Sequence, residues 1–262
     1  MLDLAQSEGL DCHLVVPLRM TNNAVFLLTG CGVVAKVHGS KAAAARELAA
    51  GHALAAVSAP IVAPAAGIGD RVHNTASLHV TFWDYVPDTE AGPSSSAVAV
   101  ALCDLHRHLN GLGDWVAGRS VEEHLDDAGR ALQDPTFAPL LGSADRQLLL
   151  HTLDRAAGEM RNCSSAVLHG SPHRMNILVS ERGAPVFIDF ETIGFGPTEW
   201  DLAHLEVEVA QAYPEPLDDD LLARCRTAVS AATATWCWGG LERGPDMQTH
   251  AEHHLAVVRT AD

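Results

Sequence analysis

Apolar and polar positions follow two different rhythms along the chain. Over the front they form short strand-like runs. Val25–Thr29 and Val33–His38 are such runs, joined by Gly30, Cys31 and Gly32, the composition of a hairpin. Residues 11–40 as a whole read as β-rich. The spacing over 41–57, dominated by Ala, Leu, Arg and Glu, predicts a helix that stops before Pro60 and Pro64. Residues 70–86 predict a further strand pair, turning near His73 and Asn74 and leaving through Leu78–Tyr85.

Residues 87–96 have the most linker-like composition in the chain, rich in Pro, Gly, Ser and acids. Beyond them the rhythm is helical: 95–110, about 120–133, 143–161, 199–212, 217–238 and 248–259. One hairpin interrupts these helices. Asn176–Ser180 and Pro185–Phe190 are apolar runs on either side of Glu181–Gly183. The expectation is an α+β, bilobal architecture. Its parts are a β-rich lobe over 1–86, a connector at 87–96 and a helical lobe over 97–262.

Composition narrows the function. A chain of 262 residues with 47% hydrophobic positions can build one large domain or two lobes. A net charge of -16 argues against nucleic acid and against an anionic membrane surface, and suits neutral or cationic small molecules. The six cysteines fall into no C-x-x-C pair, which fits a reducing compartment. The acidic first residues do not read as a signal peptide. A cytoplasmic protein is expected; nothing in the chain speaks to its oligomeric state. His250, His253 and His254 have helical spacing, yet no partner completes a zinc pattern.

The chemistry concentrates in residues 167–205. Asn176 precedes the first run of the hairpin and Asp189 lies near the end of the second. If the runs pair, an amide oxygen and a carboxylate converge, hard donors suited to Mg²⁺. His169 and Gly170, then Asn176, Asp189, Gly196, Pro197 and the triplet Asp201, Leu202 and Ala203 fall in the order and spacing of a known pattern. The stretch resembles the catalytic and metal-binding segment of the aminoglycoside phosphotransferase family, which has a protein-kinase-like fold. One position departs from it: Ser171 stands where that family keeps its catalytic Asp.

The resemblance implies roles in the front lobe. Lys36 sits inside an apolar run, where a charge must be paired. Kinase-like folds use such a Lys on the α- and β-phosphates and a helix Glu to hold it, and Glu47 is the natural partner. Asn22 and Asn23, in the turn before Val25, would face phosphate. Phe82 and Trp83, with Val80 and Val86, would surround the nucleotide base. Glu191 would aid the metal, directly or through water.

Ser171 has a neutral hydroxyl that can orient an acceptor but is a poor base near neutral pH. His173 is two residues on, with an imidazole of pKa near ~6.5. The resemblance implies an O-phosphotransferase that uses ATP, or another nucleoside triphosphate, and Mg²⁺. Its acceptor would be a hydroxyl of a small molecule, such as an antibiotic or other natural product. Two other readings stand beside it. One is a catalytically impaired pseudokinase that binds nucleotide or a small ligand without efficient transfer. The other is a choline- or sugar-kinase-like enzyme.

Overall fold

In the computed structural model every residue is described except 21–22, 76–77, 88–91, 113–117, 245 and 262. Contacts divide the chain into two units. The first holds Met1–Ala117 and His173–Ile193, the second Gly118–Pro172 and Gly194–Asp262. Elements are numbered in chain order.

The first unit is built on an antiparallel sheet of β1 (Leu14–Met20), β2 (Ala24–Thr29), β3 (Val33–His38), β4 (His73–Thr75) and β5 (Leu78–Asp84). Spatial order is β1-β2-β3-β5-β4. The expected hairpin is β2 and β3, and it turns on Gly30 and Gly32, both at positive φ. Alternation along the strands sorts side chains between the two faces. Val33, Ala35, Val80 and Phe82 pack with Ala5, Leu28 and Ile68 on one face. Ala5 comes from a short helix, α1 (Leu2–Ser7), which has too few residues to show a period in the sequence. The other face carries Val34, Lys36, Thr81 and Trp83, where Lys36 pairs with Thr81 in register.

A helix, α2 (Lys41–Ala56), matches the predicted one. Its first turn is capped by Ser40, whose side chain accepts from the Ala43 N–H. Gly51 of α2 lets the indole of Trp83 pack close, because a Cβ there would come 2.6 Å from the ring. The longer α3 (Ser95–Gly111) is capped by Ser94. The later hairpin, β8 (Ile177–Val179) with β9 (Pro185–Phe187), pairs antiparallel as the sequence predicts. Phe187 is bonded to Pro60 and Val62, which fixes the hairpin against the segment after α2.

The second unit is helical, with α4 (Val121–Gln133), α5 (Ser143–Met160), α6 (Thr198–Ala203), α7 (Val207–Gln211), α8 (Asp219–Trp238) and α9 (Asp246–Ala261). The sequence predicts one helix over 199–212. The structure breaks it into α6 and α7 at His204–Glu206, where Leu205 is buried. Leu125, Leu132, Leu149, Leu153, Cys225 and Leu255 form part of its core. A small sheet of β6 (Arg119–Ser120), β7 (Ala166–Leu168) and β10 (Gly194–Gly196) accompanies the helices. These strands are two or three residues long, too short for alternation to reveal them.

Candidate active site

The polar centre of the first unit is Lys36. Its ammonium donates to both Glu47 oxygens at 2.8 and 2.9 Å and to Asp189 Oδ1 at 2.8 Å. Glu191 Oε1 lies 3.5 Å away. Lys36 and Glu47 are both buried, at 7% and 1% exposure, so neither charge could be tolerated alone. Burial works against the charge of Lys36, but Glu47, Asp189 and Glu191 outweigh it and raise its pKa above the ordinary lysine range. Burial pushes the Glu47 carboxyl up to about 7, against the pull of Lys36. Glu191 is also raised by burial, yet hydrogen bonding from His38, the Lys36 charge and Asn23 together hold it down at about 2. His38, Glu47 and Glu191 offer three ligand atoms within 4.8 Å of one another. The ammonium of Lys36 already supplies the cation there.

A cavity of about 250 Å³ opens beside this centre. Val25, Val34, Val62, Trp83, Leu178 and Ile188 give it apolar walls, and Lys36, Glu47, Asp189 and Arg19 border it with charge. Leu18 and Arg19 are neighbours in the chain yet both line it. The register of β1 shifts between Pro17 and Arg19, and such a bulge breaks the alternation of side chains.

Asp189 follows β9 in the left-handed region, at φ 70 and ψ 66. That conformation is unfavourable for most side chains and tolerated by Asp. It is held on its N-terminal side, where the Ile188 N–H donates to the Asn176 carbonyl at 3.0 Å. The backbone of Asn176 is thereby tied to the residue before Asp189. The Asn176 side chain is buried, and its Oδ1 accepts from Arg19 Nη1 at 3.3 Å. Arg19 also donates to the Met175 carbonyl at 2.6 Å. An amide oxygen and a partly exposed carboxylate are hard donors, so their chemistry fits a divalent cation such as Mg²⁺.

The remaining sequence candidates fall in different places. Asn23 donates from Nδ2 to Glu191 Oε1 at 2.8 Å. Asn22 lies outside the described residues. Trp83 lines the cavity, while Phe82 is fully buried on the opposite face of the sheet with its ring edge-on to His73. Val80 shares that buried face. His173 belongs to the first unit, and its Nε2 lies 3.3 Å from Asn176 Nδ2. An amide nitrogen only donates, so this Nε2 is the acceptor.

Ser171 belongs to the second unit, where the loop after β7 is held by α6. Asp201 is fully buried and accepts the N–H groups of His169 and Gly170, at 2.8 Å each. Trp200 donates its indole N–H to the Gly170 carbonyl at 3.0 Å. Gly170 adopts φ 92, a conformation natural for glycine. The Ser171 N–H points to His169 Nδ1 at 3.4 Å.

Sequence reasoning did not single out Arg19, His38 or Thr81. His38 carried a signal, since it lies two residues after Lys36 on a strand and so shares its face. Arg19 carried none, because the bulge that re-aims it is not visible in the residue pattern.

An apolar cavity ending in a buried Lys–Glu pair and a carboxylate, on a β-rich front with a helical rear, defines an α+β fold of the protein-kinase-like class. Comparison with known proteins agrees. The model of the phosphotransferase enzyme family (APH) matches residues 16–237, and the chain belongs to that family. It is therefore an enzyme of the small-molecule kinase class. No curated protein matches.

Among solved structures, the chain is similar to the GDP and kanamycin complex of APH(2")-IIia. Identity is 16%, with 100% of this chain and 98% of that one covered and a TM-score of 0.75. It is similar to the amicoumacin kinase hAmiN in complex with AMP-PNP, Ca²⁺ and Ami, at 13% identity, 99% and 93% coverage and a TM-score of 0.73. It is also similar to the choline kinase LicA from Streptococcus pneumoniae, at 13% identity, 99% and 98% coverage and a TM-score of 0.67. At such identities these likenesses speak for the fold.

Proposed function

We propose that this chain transfers the terminal phosphoryl group of ATP, or of another nucleoside triphosphate, to a hydroxyl of a small molecule. The observation that carries the reading is the ammonium of Lys36, held between Glu47 and Asp189 at the charged end of the apolar cavity. The apolar walls receive the base, with Trp83 among them. Glu47 keeps Lys36 in place, and an arriving phosphate takes the hydrogen that Lys36 now gives Asp189. That exchange frees the Asp189 carboxylate. Mg²⁺, held through Asn176 and Asp189, would neutralise charge on the phosphates as transfer proceeds. Asn22 and Asn23 would meet the phosphates, and residues 1–86 serve as the nucleotide clamp ahead of the connector at 87–96.

The Ser171 hydroxyl orients the acceptor, and proton removal falls to His173 or to solvent. Phosphoryl transfer tolerates this arrangement, because positioning and electrostatics supply most of its catalysis. The acceptor is an antibiotic or another natural product. Support comes from the similar structures that hold kanamycin and amicoumacin, and from the net charge of -16, which favours cationic acceptors. Choline- or sugar-type acceptors are the neighbouring possibility, supported by the likeness to a choline kinase. The reading places the enzyme in the cytoplasm; among the described residues no helix is long and apolar enough to cross a membrane.

A second reading, a nucleotide-binding pseudokinase, is favoured by Ser171 itself and by the engagement of His173 Nε2 with Asn176. Two measurements separate the readings. Thermal shift with ATP, GTP and Mg²⁺ tests nucleotide binding. Nucleotide consumption with a panel of hydroxylated antibiotics, choline and sugars tests transfer. Binding with consumption for one acceptor supports the enzyme, and binding without any consumption supports the pseudokinase. A melting temperature that no nucleotide raises overturns both.

A further inference from the structure

The carboxylate of Glu191 joins three separate parts of the first unit. Its Oε1 accepts from Asn23 Nδ2 at 2.8 Å, lies 2.7 Å from His38 Nδ1, and has the Lys36 ammonium 3.5 Å away. Asn23 immediately precedes β2. His38 ends β3 and is 1% exposed. Its other ring nitrogen, Nε2, lies 2.9 Å from Thr81 Oγ1, which also accepts from Trp83 Nε1 at 2.9 Å.

The direction of every bond in this chain can be worked out. An indole N–H only donates, so Thr81 Oγ1 receives it. A carboxylate only accepts, so the neutral imidazole of His38 keeps its hydrogen on Nδ1 and takes the Thr81 hydroxyl proton at Nε2. That N–H then donates to Glu191. The sequence of donors runs from Trp83 through Thr81 and His38 to Glu191, and Asn23 meets it from the other side. One end is a wall of the cavity and the other is Asn23, just ahead of β2. A loop acid facing water has no need of an amide, an imidazole and an ammonium around one oxygen.

We propose that Glu191 is a positioning residue for nucleotide phosphates: it anchors Asn23, just ahead of β2, where that residue meets them. His38, oriented by Thr81 and Trp83, fixes the carboxylate for that task. The inference rests on the phosphotransferase reading and adds to it a residue that acts through Asn23.

The test is calorimetric titration of the wild-type protein, Asn23→Ala, Glu191→Ala and the double variant, each with ATP plus Mg²⁺ and separately with adenosine. Each single variant is expected to weaken ATP binding about tenfold, the scale of one hydrogen bond to a charged group. The double variant is expected to lose no more than either single one, because both remove the same link. Adenosine affinity should stay within about twofold throughout, which also certifies the fold. Unchanged ATP affinity in Asn23→Ala overturns the inference, and so do multiplying losses in the double variant or an equal loss for adenosine. A wild-type protein that binds none of ATP, GTP, adenosine and guanosine overturns the kinase reading itself, an outcome visible before any variant is made.

Discussion

The guanidinium of Arg19 donates to the side-chain oxygen of Asn176 at 3.3 Å. That oxygen is the one proposed to hold a divalent ion, so a cation of the protein already stands against it. Like charges compete for such a donor. Arg19→Ala is expected to lower the Mg²⁺ concentration needed for half-maximal nucleotide binding by about threefold, an energy well below that of one charged hydrogen bond. Titrating Mg²⁺ at fixed nucleotide, followed by calorimetry, reads this directly. A rise in the Mg²⁺ requirement would show that Arg19 assists the cation instead.

Lys36 and Glu47 are a buried pair, and removing one partner leaves the other charge without compensation. Lys36→Met is expected to destabilise the protein by about 3 kcal/mol. Lys36→Met combined with Glu47→Leu should recover most of that loss, since two apolar residues can replace a buried pair. Neither variant should show nucleotide-dependent stabilisation. Urea denaturation with and without ATP and Mg²⁺ separates the two effects. A double variant that still gains stability from nucleotide removes Lys36 from the phosphate site.

Ser171→Asp supplies the carboxylate that the family pattern carries. The loop it joins is clamped by Asp201 through the backbone of His169 and Gly170, so the fold should be unaffected. The rate of phosphoryl transfer to a given acceptor is expected to rise tenfold or more, toward the ~10²–10⁴ typical of general-base catalysis. Steady-state kinetics on a single acceptor measures it. If the substitution abolishes a robust native rate, Ser171 works in a geometry of its own.

His254 of α9 has its Nδ1 3.5 Å from Ser230 Oγ of α8. Burial first, and then the neighbouring His253 and His250, lower its pKa to about 4. The native imidazole then stays neutral over a range where the unfolded one, near 6.5, takes up a proton. Stability from this group is complete above pH 6.5 and falls as pH drops from 6.5 toward 4. His254→Gln should flatten that part of the stability profile. Urea unfolding at pH 7 and pH 5 in both proteins gives the comparison, and parallel profiles would exclude His254 as the cause.

Local elements and the family are legible in the residue pattern. Gly30 and Gly32 with their apolar flanks specify β2 and β3, and the pattern over 41–57 specifies α2, because turn chemistry and periodicity act over a few residues. The ordered set from His169 to Ala203 carried the resemblance for the same reason, being contiguous in the chain. Tertiary structure alone decided which polar groups meet. It put Asp189 and Glu191 against Lys36, turned Phe82 into the core while Trp83 faced the cavity, and brought Arg19 to Asn176 and Asn23 to Glu191. These partners lie more than a hundred residues apart in the chain, apart from the two aromatic neighbours. A charged residue in a strand reads the same whether it will face water or a buried carboxylate, and only packing fixes which.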